Sequence, residues 1–162
     1  MKKFELTTEF ITNALGKKLF RIKALIEFGD VKAGELGGYV EKEGNVSQDG
    51  DAWVSGNAWV SGDARVSGNA RVYGDAWVSG DAWVSGDADY ALIQGFGTEF
   101  RCTTFYRSKN KKIMVNCGCF HGDLEGFRKQ VKETRSGKIE KEYLMIADLM
   151  EYHFASEDSD DE

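Results

Sequence analysis

Hydrophobic and polar positions recur with a period of six residues through the middle of the chain. Six consecutive units between Asp51 and Gly86 read Asp/Asn-Ala-Trp/Arg-Val-Ser/Tyr-Gly. Because side chains along a strand alternate between its faces, Ala and Val point to one side of each unit and Trp or Arg to the other. The Gly-Asp or Gly-Asn step between units is typical of turns with positive φ. The pattern therefore predicts a very short strand and a corner in every unit.

A corner every six residues predicts a three-sided coil with 18 residues per turn, since arms this short do not form hairpins. Stacked turns then pair as parallel strands about 4.8 Å apart, and the small Ala and Val side chains fill a narrow interior. A helix is disfavoured because the period of six does not match about 3.6 residues per helical turn and every unit contains Gly. The outward pairs that this spacing predicts are Trp59–Trp77, Trp53–Arg71 and Arg65–Trp83.

These outward positions form the candidate partner-binding surface. Trp and Arg are enriched at the positions that dominate protein–protein affinity, and exposed aromatic patches usually mark interaction sites. The alternative interpretation is that the stacked Trp–Trp and Trp–Arg pairs only stiffen the coil. The predicted partner-binding residues are Trp53, Trp59, Trp77, Trp83, Arg65 and Arg71.

The six-residue unit resembles the hexapeptide repeat of left-handed parallel β-helix proteins. Residues 20–60 are similar to the opening of bacterial and phage β-helix proteins that are labelled hexapeptide-repeat transferases or polymer-forming proteins. Residues 115–154 are similar to the small C-terminal module that accompanies such repeats in phage and prophage proteins. The resemblance implies a left-handed coil and a phage or prophage accessory protein. Small cytosolic proteins of that kind often block host defence enzymes, so inhibition of a bacterial immune protein is one hypothesis that follows.

Together these features predict a mainly β fold, built on a short left-handed parallel β-helix of about three coils. Flanking modules are expected because a β-helix exposes strand edges at both of its ends. The predicted domains are an N-terminal β cap at 1–44, the hexapeptide-repeat β-helix at 45–95, a C-terminal ββαα module at 96–154 and a disordered acidic tail at 155–162.

In the C-terminal module, the six-residue period gives way to two strands and two helices. A hairpin that pairs Arg107 with Lys112 would place Cys102 opposite Cys117. The apolar face of this hairpin is then Phe100, Cys102, Thr104, Tyr106, Ile113, Val115, Cys117 and Cys119. Helices that begin at Asp123 and near Ile139 would cover this face. The second helix is apolar on two sides, and the predicted oligomer interface on its outer side is Leu144, Met145, Leu149 and Tyr152.

Charge and composition narrow the classes of partner and the compartment. The net charge of −6 is made of +1 over residues 1–44, −5 over 45–92, +3 over 93–154 and −5 over 155–162. The acidic middle segment would repel a phosphate backbone, so no nucleic-acid partner is predicted. No apolar run is long enough for a membrane span or a secretory signal, and three cysteines suit a reducing compartment. The prediction is a cytoplasmic protein with no membrane partner.

The cysteines raise the question of a metal site. Cys117, Cys119 and His121, with Cys102 on the neighbouring strand, contain the ligands of a Cys₃His zinc site. Two cysteines separated by one residue on a flat strand are held too far apart for one ion, and these positions fall on the predicted core face. Buried structural cysteines are therefore the favoured interpretation, and no metal is predicted.

Catalysis receives little support from the sequence. Acyltransferases with hexapeptide coils use a histidine base near a subunit interface and a loop that projects from the coils. Here the units run without insertion from Asp51 to Gly86, and the two histidines, His121 and His153, follow the repeat. No catalytic residue and no cofactor is predicted. The favoured function is a non-enzymatic protein–protein interaction protein that forms a dimer or trimer and binds a host protein. An assembly scaffold and an acyltransferase are the alternatives.

Overall fold

The computed structural model describes residues 2–13, 15–86, 89–98, 101–117 and 120–155. The N-terminal strands are β1 (Phe4–Thr12), β2 (Lys18–Ala24) and β3 (Leu36–Val40), followed by a 3-10 turn at Glu43–Asn45. The strands of the repeat are β4 (Trp53–Val54), β5 (Trp59–Val60), β6 (Arg65–Val66), β7 (Arg71–Val72), β8 (Trp77–Val78) and β9 (Trp83–Val84). The C-terminal elements are β10 (Tyr90–Phe96), β11 (Arg101–Arg107), β12 (Ile113–Cys117), β13 (Phe120–Asp123), α1 (Leu124–Thr134) and α2 (Gly137–His153). The protein is thus mainly β.

The N-terminal strands lead directly into the repeat. Strands β1 and β2 form an antiparallel hairpin, and β3 pairs antiparallel with β2 on one side and parallel with β5 on the other. Within the described residues, these strands join β8 in a five-stranded sheet of order β1-β2-β3-β5-β8. One strand column of the repeat therefore continues a locally formed hairpin.

The repeat strands stack with the predicted spacing of 18 residues. In the described part of the chain, β5 pairs with β8, β4 with β7 and β6 with β9, all in parallel. The registers pair Trp59 with Trp77, and Arg65 with Trp83. Backbone hydrogen bonds follow the same interval, such as that from Trp59 N to Ala76 O at 2.9 Å. The outward pairs predicted from the period are confirmed as register partners.

The interior of the repeat is made of small apolar side chains, as predicted. Every inward Ala and Val of the six units is at most 1% exposed, and the set is Ala52, Val54, Ala58, Val60, Ala64, Val66, Ala70, Val72, Ala76, Val78, Ala82 and Val84. The corner glycines of the first five units adopt positive φ, and Gly68 shows why the position needs Gly. Its φ is +61°, and a Cβ added there would lie 2.3 Å from the Ser85 carbonyl oxygen. The corner thus requires a left-handed conformation at this one residue and a close approach between neighbouring turns, and Gly permits both.

The C-terminal module packs two helices on one face of an antiparallel sheet, whose order across the described residues is β10-β11-β12-β13. Asp123 caps α1 by accepting a hydrogen bond from Gly126 N at 2.8 Å, and α2 begins after Ser136, close to the predicted positions. The side chains of both helices that face the sheet are buried, among them Phe127 and Ile146. Strands β10 and β13 were not predicted, and β10 runs across the predicted boundary between residues 95 and 96.

The predicted register of the hairpin is wrong by one residue. Arg107 pairs with Ile113, and Thr103 pairs with Cys117. The loop is shorter than predicted because Ser108 N donates to Lys112 O at 2.9 Å, which leaves three residues in the turn. A one-residue slip exchanges the faces of one strand relative to the other. The predicted apolar face therefore does not form: Phe105 and Val115 face the helices, whereas Tyr106 and Thr104 face the repeat.

Hydrogen bonds join the sheet and the N-terminal hairpin to opposite ends of the repeat. Asn116 Nδ2 donates to Trp77 O at 2.7 Å, and Trp77 N donates to Thr104 Oγ1 at 3.0 Å. At the first turn, the buried Lys3 ammonium donates to Ala52 O at 2.7 Å and to Gly50 O at 3.2 Å. Burial lowers the pKa of Lys3 from its ordinary value, against the opposing effect of nearby Asp51 and Asp49. Both contacts satisfy strand-edge groups.

Some predictions fall outside the described residues. These positions are Phe100, Cys119 and residues 156–162 of the predicted tail. Neither helix in the described ranges is long and apolar enough to cross a membrane.

Candidate protein-binding surfaces

Trp53 is a core residue, which corrects its prediction as a partner-binding residue. Its side chain is 1% exposed. The rings of Phe4 and Phe28 pack edge-on against it, with centroid distances of 6.1 and 5.3 Å. Its indole N–H has no hydrogen-bond acceptor among the described residues. The N-terminal region therefore covers this outward position, and Trp53 contributes to folding rather than to a free surface.

Its register partner Arg71 is also engaged within the chain. The Arg71 guanidinium forms an ion pair with Asp30, and the Tyr90 hydroxyl donates to the Arg71 carbonyl oxygen. Arg71 is half-buried. These contacts hold the side chain beside the N-terminal region, and the predicted role of Arg71 in partner binding stays a prediction.

Trp59 and Trp77 form the predicted aromatic pair. Their ring centroids are 5.8 Å apart in an edge-on geometry, and both side chains are half-buried. The Trp77 indole N–H lies 3.5 Å from Ser61 Oγ, and its backbone binds the C-terminal sheet. The pair combines a structural contact with a partly accessible surface, so the two interpretations of the sequence both apply to it.

Trp83 and Arg65 remain exposed, as predicted for a binding surface. Trp83 is 48% exposed, and Arg65 is exposed on the neighbouring strand of the same pair. The cation over the Trp83 ring is Lys109, whose Nζ lies 5.6 Å from the ring centroid. The predicted cation–π partner was Arg65. Among the described residues, the contact comes instead from the β11–β12 loop, which packs beside β9.

A groove runs past these exposed side chains. It has a volume of about 540 Å³, and its polar and aromatic lining residues are Glu43, Ser47, Gln48, Arg65, Ser67, Trp83 and Ser85. We call it the Trp83 groove. Because it lies between β6, β9 and the 3-10 turn, both the repeat and the N-terminal region shape it.

The outer face of α2 is the second candidate surface. Met145, Leu149 and Tyr152 are 63%, 58% and 80% exposed, so we call these three residues the α2 outer face. Leu144, the fourth residue of the predicted interface, is half-buried and packs against the core of the C-terminal module. The structure therefore leaves three of the four predicted side chains accessible.

Ion pairs hold the α2 outer face in position. Arg128 of α1 donates to Asp148 Oδ1 at 2.9 Å and to Glu151 Oε1 at 2.6 Å, as well as to Glu125 Oε1 at 2.7 Å. Burial disfavours the charged guanidinium, but the hydrogen bonds from these carboxylates outweigh it and raise the pKa of Arg128. The network ties α2 to α1 along the edge of the exposed stripe.

The two cysteines in the described part of the chain, Cys102 and Cys117, do not converge on one site. Thr103 and Cys117 are register partners on the face towards the helices, whereas Cys102 lies on the opposite face of β11. Cys102 and Cys117 are free and only half-buried, which corrects the prediction of mostly buried thiols. Burial, with a further contribution from Asp75, raises the pKa of Cys102 to about 11. His121 bonds Asn116, so its ring is held at the contact with the repeat.

Lys109 is the surface residue that the sequence interpretation missed. The segment Ser108-Lys109-Asn110-Lys111 was interpreted only as a turn, and Lys112 as the start of the next strand. Three lysines within four residues are an unusual concentration of positive charge beside an acidic repeat. That concentration was the available signal for a functional loop.

Comparison with protein families supports the repeat architecture. Residues 64–80 match the family described as the YdcK Beta solenoid repeat. This match covers three of the strands in the repeat and indicates a β-solenoid repeat protein. No curated protein matches the chain significantly.

Proposed function

We propose that this chain is a non-enzymatic protein–protein interaction protein that binds copies of itself and a host protein. The observation that carries the proposal is the exposure of Trp83 and of the α2 outer face on a strongly charged molecule. Large exposed apolar side chains that cluster on a structured surface mark interaction sites. The resemblance to phage and prophage β-helix proteins supports the more specific role of an accessory protein that inhibits a host defence protein in the cytoplasm.

The proposed scaffold is a left-handed parallel β-helix of about three coils with an N-terminal β cap and a C-terminal module. The 18-residue register and the β-solenoid match support the coil. The hydrogen bonds of Lys3 and Asn116 to backbone carbonyls of the repeat support a covering role for the two flanks. Such a scaffold would hold the Trp83 groove on a rigid strand pair.

The proposed self-association uses the α2 outer face, with a second copy as the occupant. Lys138 and Lys141 lie in the first two turns of the helix, and Asp148 and Glu151 lie in its last two turns. In an antiparallel pair of α2 helices, these lysines of one copy would face the carboxylates of the other. The opposed helix dipoles favour the same arrangement. Charge complementarity therefore supports a symmetric dimer.

Light scattering tests the self-association at micromolar concentration. We expect a mass above that of the 18.1 kDa chain for the wild type. The double variant Leu149→Glu/Tyr152→Glu should be monomeric, because it places four carboxylates in a face that would otherwise be buried. A control with the same added charge, Gln130→Glu/Thr134→Glu on exposed positions of α1, should keep the wild-type mass. A monomeric wild type contradicts this part of the proposal.

Capture from a phage-infected bacterial lysate tests the binding of a host protein. We expect Trp83→Ser to lose a partner that the wild type retains, without loss of folding, since Trp83 is exposed. Tyr73→Ser is the matched control, because Tyr73 is also an exposed aromatic of the repeat but lies outside the Trp83 groove. Equal capture by both variants and the wild type contradicts the proposed role of Trp83. Calorimetric titration with acetyl-CoA tests the acyltransferase alternative.

A further inference from the structure

The loop between β11 and β12 brings positive charge to the ring of Trp83, which lines the Trp83 groove. Ala82 and Ser108 form an antiparallel bridge, so the loop starts directly beside β9. The next residue, Lys109, places its Nζ 5.6 Å from the centroid of the Trp83 ring. Lys109 is itself exposed. One lysine of a short loop therefore accompanies an exposed tryptophan.

The cations around this groove lack internal carboxylate partners. Across the described ranges, no ion pair engages the side chain of Arg65 or Lys109. The one acidic side chain among the described lining residues is Glu43, and its carboxylate is bound by Lys2 at 3.1 Å. The groove and its loop therefore carry uncompensated positive charge in a chain whose net charge is −6.

We infer that the Trp83 groove binds an acidic segment of the partner protein, an inference that rests on the proposed function. Carboxylates of the segment would pair with Arg65 on the strand and with Lys109 on the loop, while the aliphatic parts of its side chains contact the Trp83 ring. Single exposed ion pairs are weak, so recognition requires several carboxylates along one segment together with burial of the aromatic ring. A groove of about 540 Å³ has room for several such side chains.

An acidic protein segment fits this surface better than a nucleic acid. The basic surface is small, and the repeat that continues from it carries a net charge of −5 over residues 45–92. A phosphate backbone that extended past the groove would be repelled by this negative charge. A short acidic segment would end within the groove and would not reach the acidic part of the repeat.

Fluorescence anisotropy with the full chain and labelled synthetic peptides tests the inference. The probe is a short peptide rich in Asp and Glu, and its reference is the same peptide with Asn and Gln in their place. We expect the acidic peptide to bind at least about tenfold more tightly than the amide peptide, and its affinity to fall as salt is raised. Arg65→Glu/Lys109→Glu should abolish this preference. The matched control Lys129→Glu/Lys132→Glu makes the same change of charge at exposed positions of α1 and should keep it.

Three results would overturn the inference. They are equal affinity for the acidic and amide peptides, equal binding by Arg65→Glu/Lys109→Glu and wild type, and tighter binding of a single-stranded oligonucleotide of matched charge. Partner capture separates these failures from failure of the proposed function. If Trp83→Ser loses the captured partner but Arg65→Glu/Lys109→Glu keeps it, the partner-binding role stands and the acidic chemistry is wrong. If neither change affects capture, the role of the groove itself is wrong.

Discussion

The repeat region, residues 51–86, and the C-terminal module, residues 90–154, reach a defined strand register by different means. In the repeat region every unit supplies the same inward Ala and Val and the same glycine corner, so a slip of one residue would disturb all units at once. In the C-terminal module, one three-residue turn at Ser108 sets the register of β11 against β12. In the repeat, every unit specifies the same register, whereas in the antiparallel sheet of the C-terminal module each register depends on a single loop.

The two regions also differ in what fills their cores. The repeat interior is filled by small Ala and Val side chains, whereas the core of the C-terminal module contains large aromatic rings. Phe127 contacts the rings of Phe105, Phe120 and Tyr143 at centroid distances of 5.8–5.9 Å. Loss of one large ring should therefore cost the module more than loss of one methyl group costs the repeat.

The largest expected effect comes from Phe127→Ala. Removal of this buried ring should lower the free energy of unfolding of the C-terminal module by about 3–5 kcal/mol. The four tryptophans all lie between residues 53 and 83, so tryptophan fluorescence reports on the repeat, and the far-ultraviolet helical signal reports on the module. We expect urea to remove the helical signal first in this variant. Coincident shifts of both signals would show that the two regions unfold as one unit.

Gly68→Ala should have the next largest effect. The new methyl group would combine a left-handed backbone with a contact of 2.3 Å to the Ser85 carbonyl oxygen. We expect a loss of about 2–4 kcal/mol, measured by urea unfolding followed by tryptophan fluorescence. The matched control is Gly56→Ala at the same position of the first unit, where φ is +64° but the nearest atom to a Cβ, the Gly74 carbonyl oxygen, lies at 3.4 Å. Similar losses in both variants would contradict the close approach of stacked corners.

A smaller effect, a gain in the free energy of unfolding, is expected at the loop that sets the hairpin register. Lys111 has a φ of +65°, which glycine adopts without the steric cost of a Cβ. Lys111→Gly should therefore stabilise the module by about 0.5–1 kcal/mol, measured by urea unfolding of the helical signal. Lys112→Gly, at a residue without positive φ, should destabilise it instead. A loss of stability at both positions would contradict the three-residue turn.

The smallest expected effect concerns the Cys102 thiol at alkaline pH. Burial raises its pKa from 9.0 to about 11, so the folded state favours the protonated thiol. This contribution to stability is fully present below pH 9 and is lost as pH rises through about 11. The stability difference between wild type and Cys102→Ser should therefore decrease over that interval in urea titrations. Rapid alkylation of Cys102 at neutral pH, mapped by mass spectrometry, would contradict the raised pKa.

The sequence predicts most reliably where one rule is repeated. The strand spacing, the inward Ala and Val, and the Trp59–Trp77 contact all follow from the period of six. The burial of Trp53 could not be predicted in this way, because its cover, Phe4 and Phe28, lies in the N-terminal region and shares no period with the repeat.

The candidate site shows the same limit. The exposure of Trp83 follows from strand alternation, but its cationic neighbour depends on a loop from the C-terminal module. Strand β10 was missed because residues 87–92 continue the spacing of the repeat with altered residues and were therefore included in the predicted β-helix at 45–95. A contact such as that between Lys109 and Trp83 depends on how two regions pack against each other. The residue pattern of either region alone does not predict it.

The 18-residue register also restricts which insertions the repeat can accept without moving the C-terminal sheet to another column of strands. Insertion of three further units would lengthen each strand column by one step and return the C-terminal sheet to the column of β5 and β8, where Asn116 binds Trp77. Insertion of a single unit would deliver the chain to a neighbouring column and carry the Lys109 loop away from the face that bears Arg65 and Trp83. Relatives that vary in length without losing this groove are therefore expected to grow or shrink by whole turns.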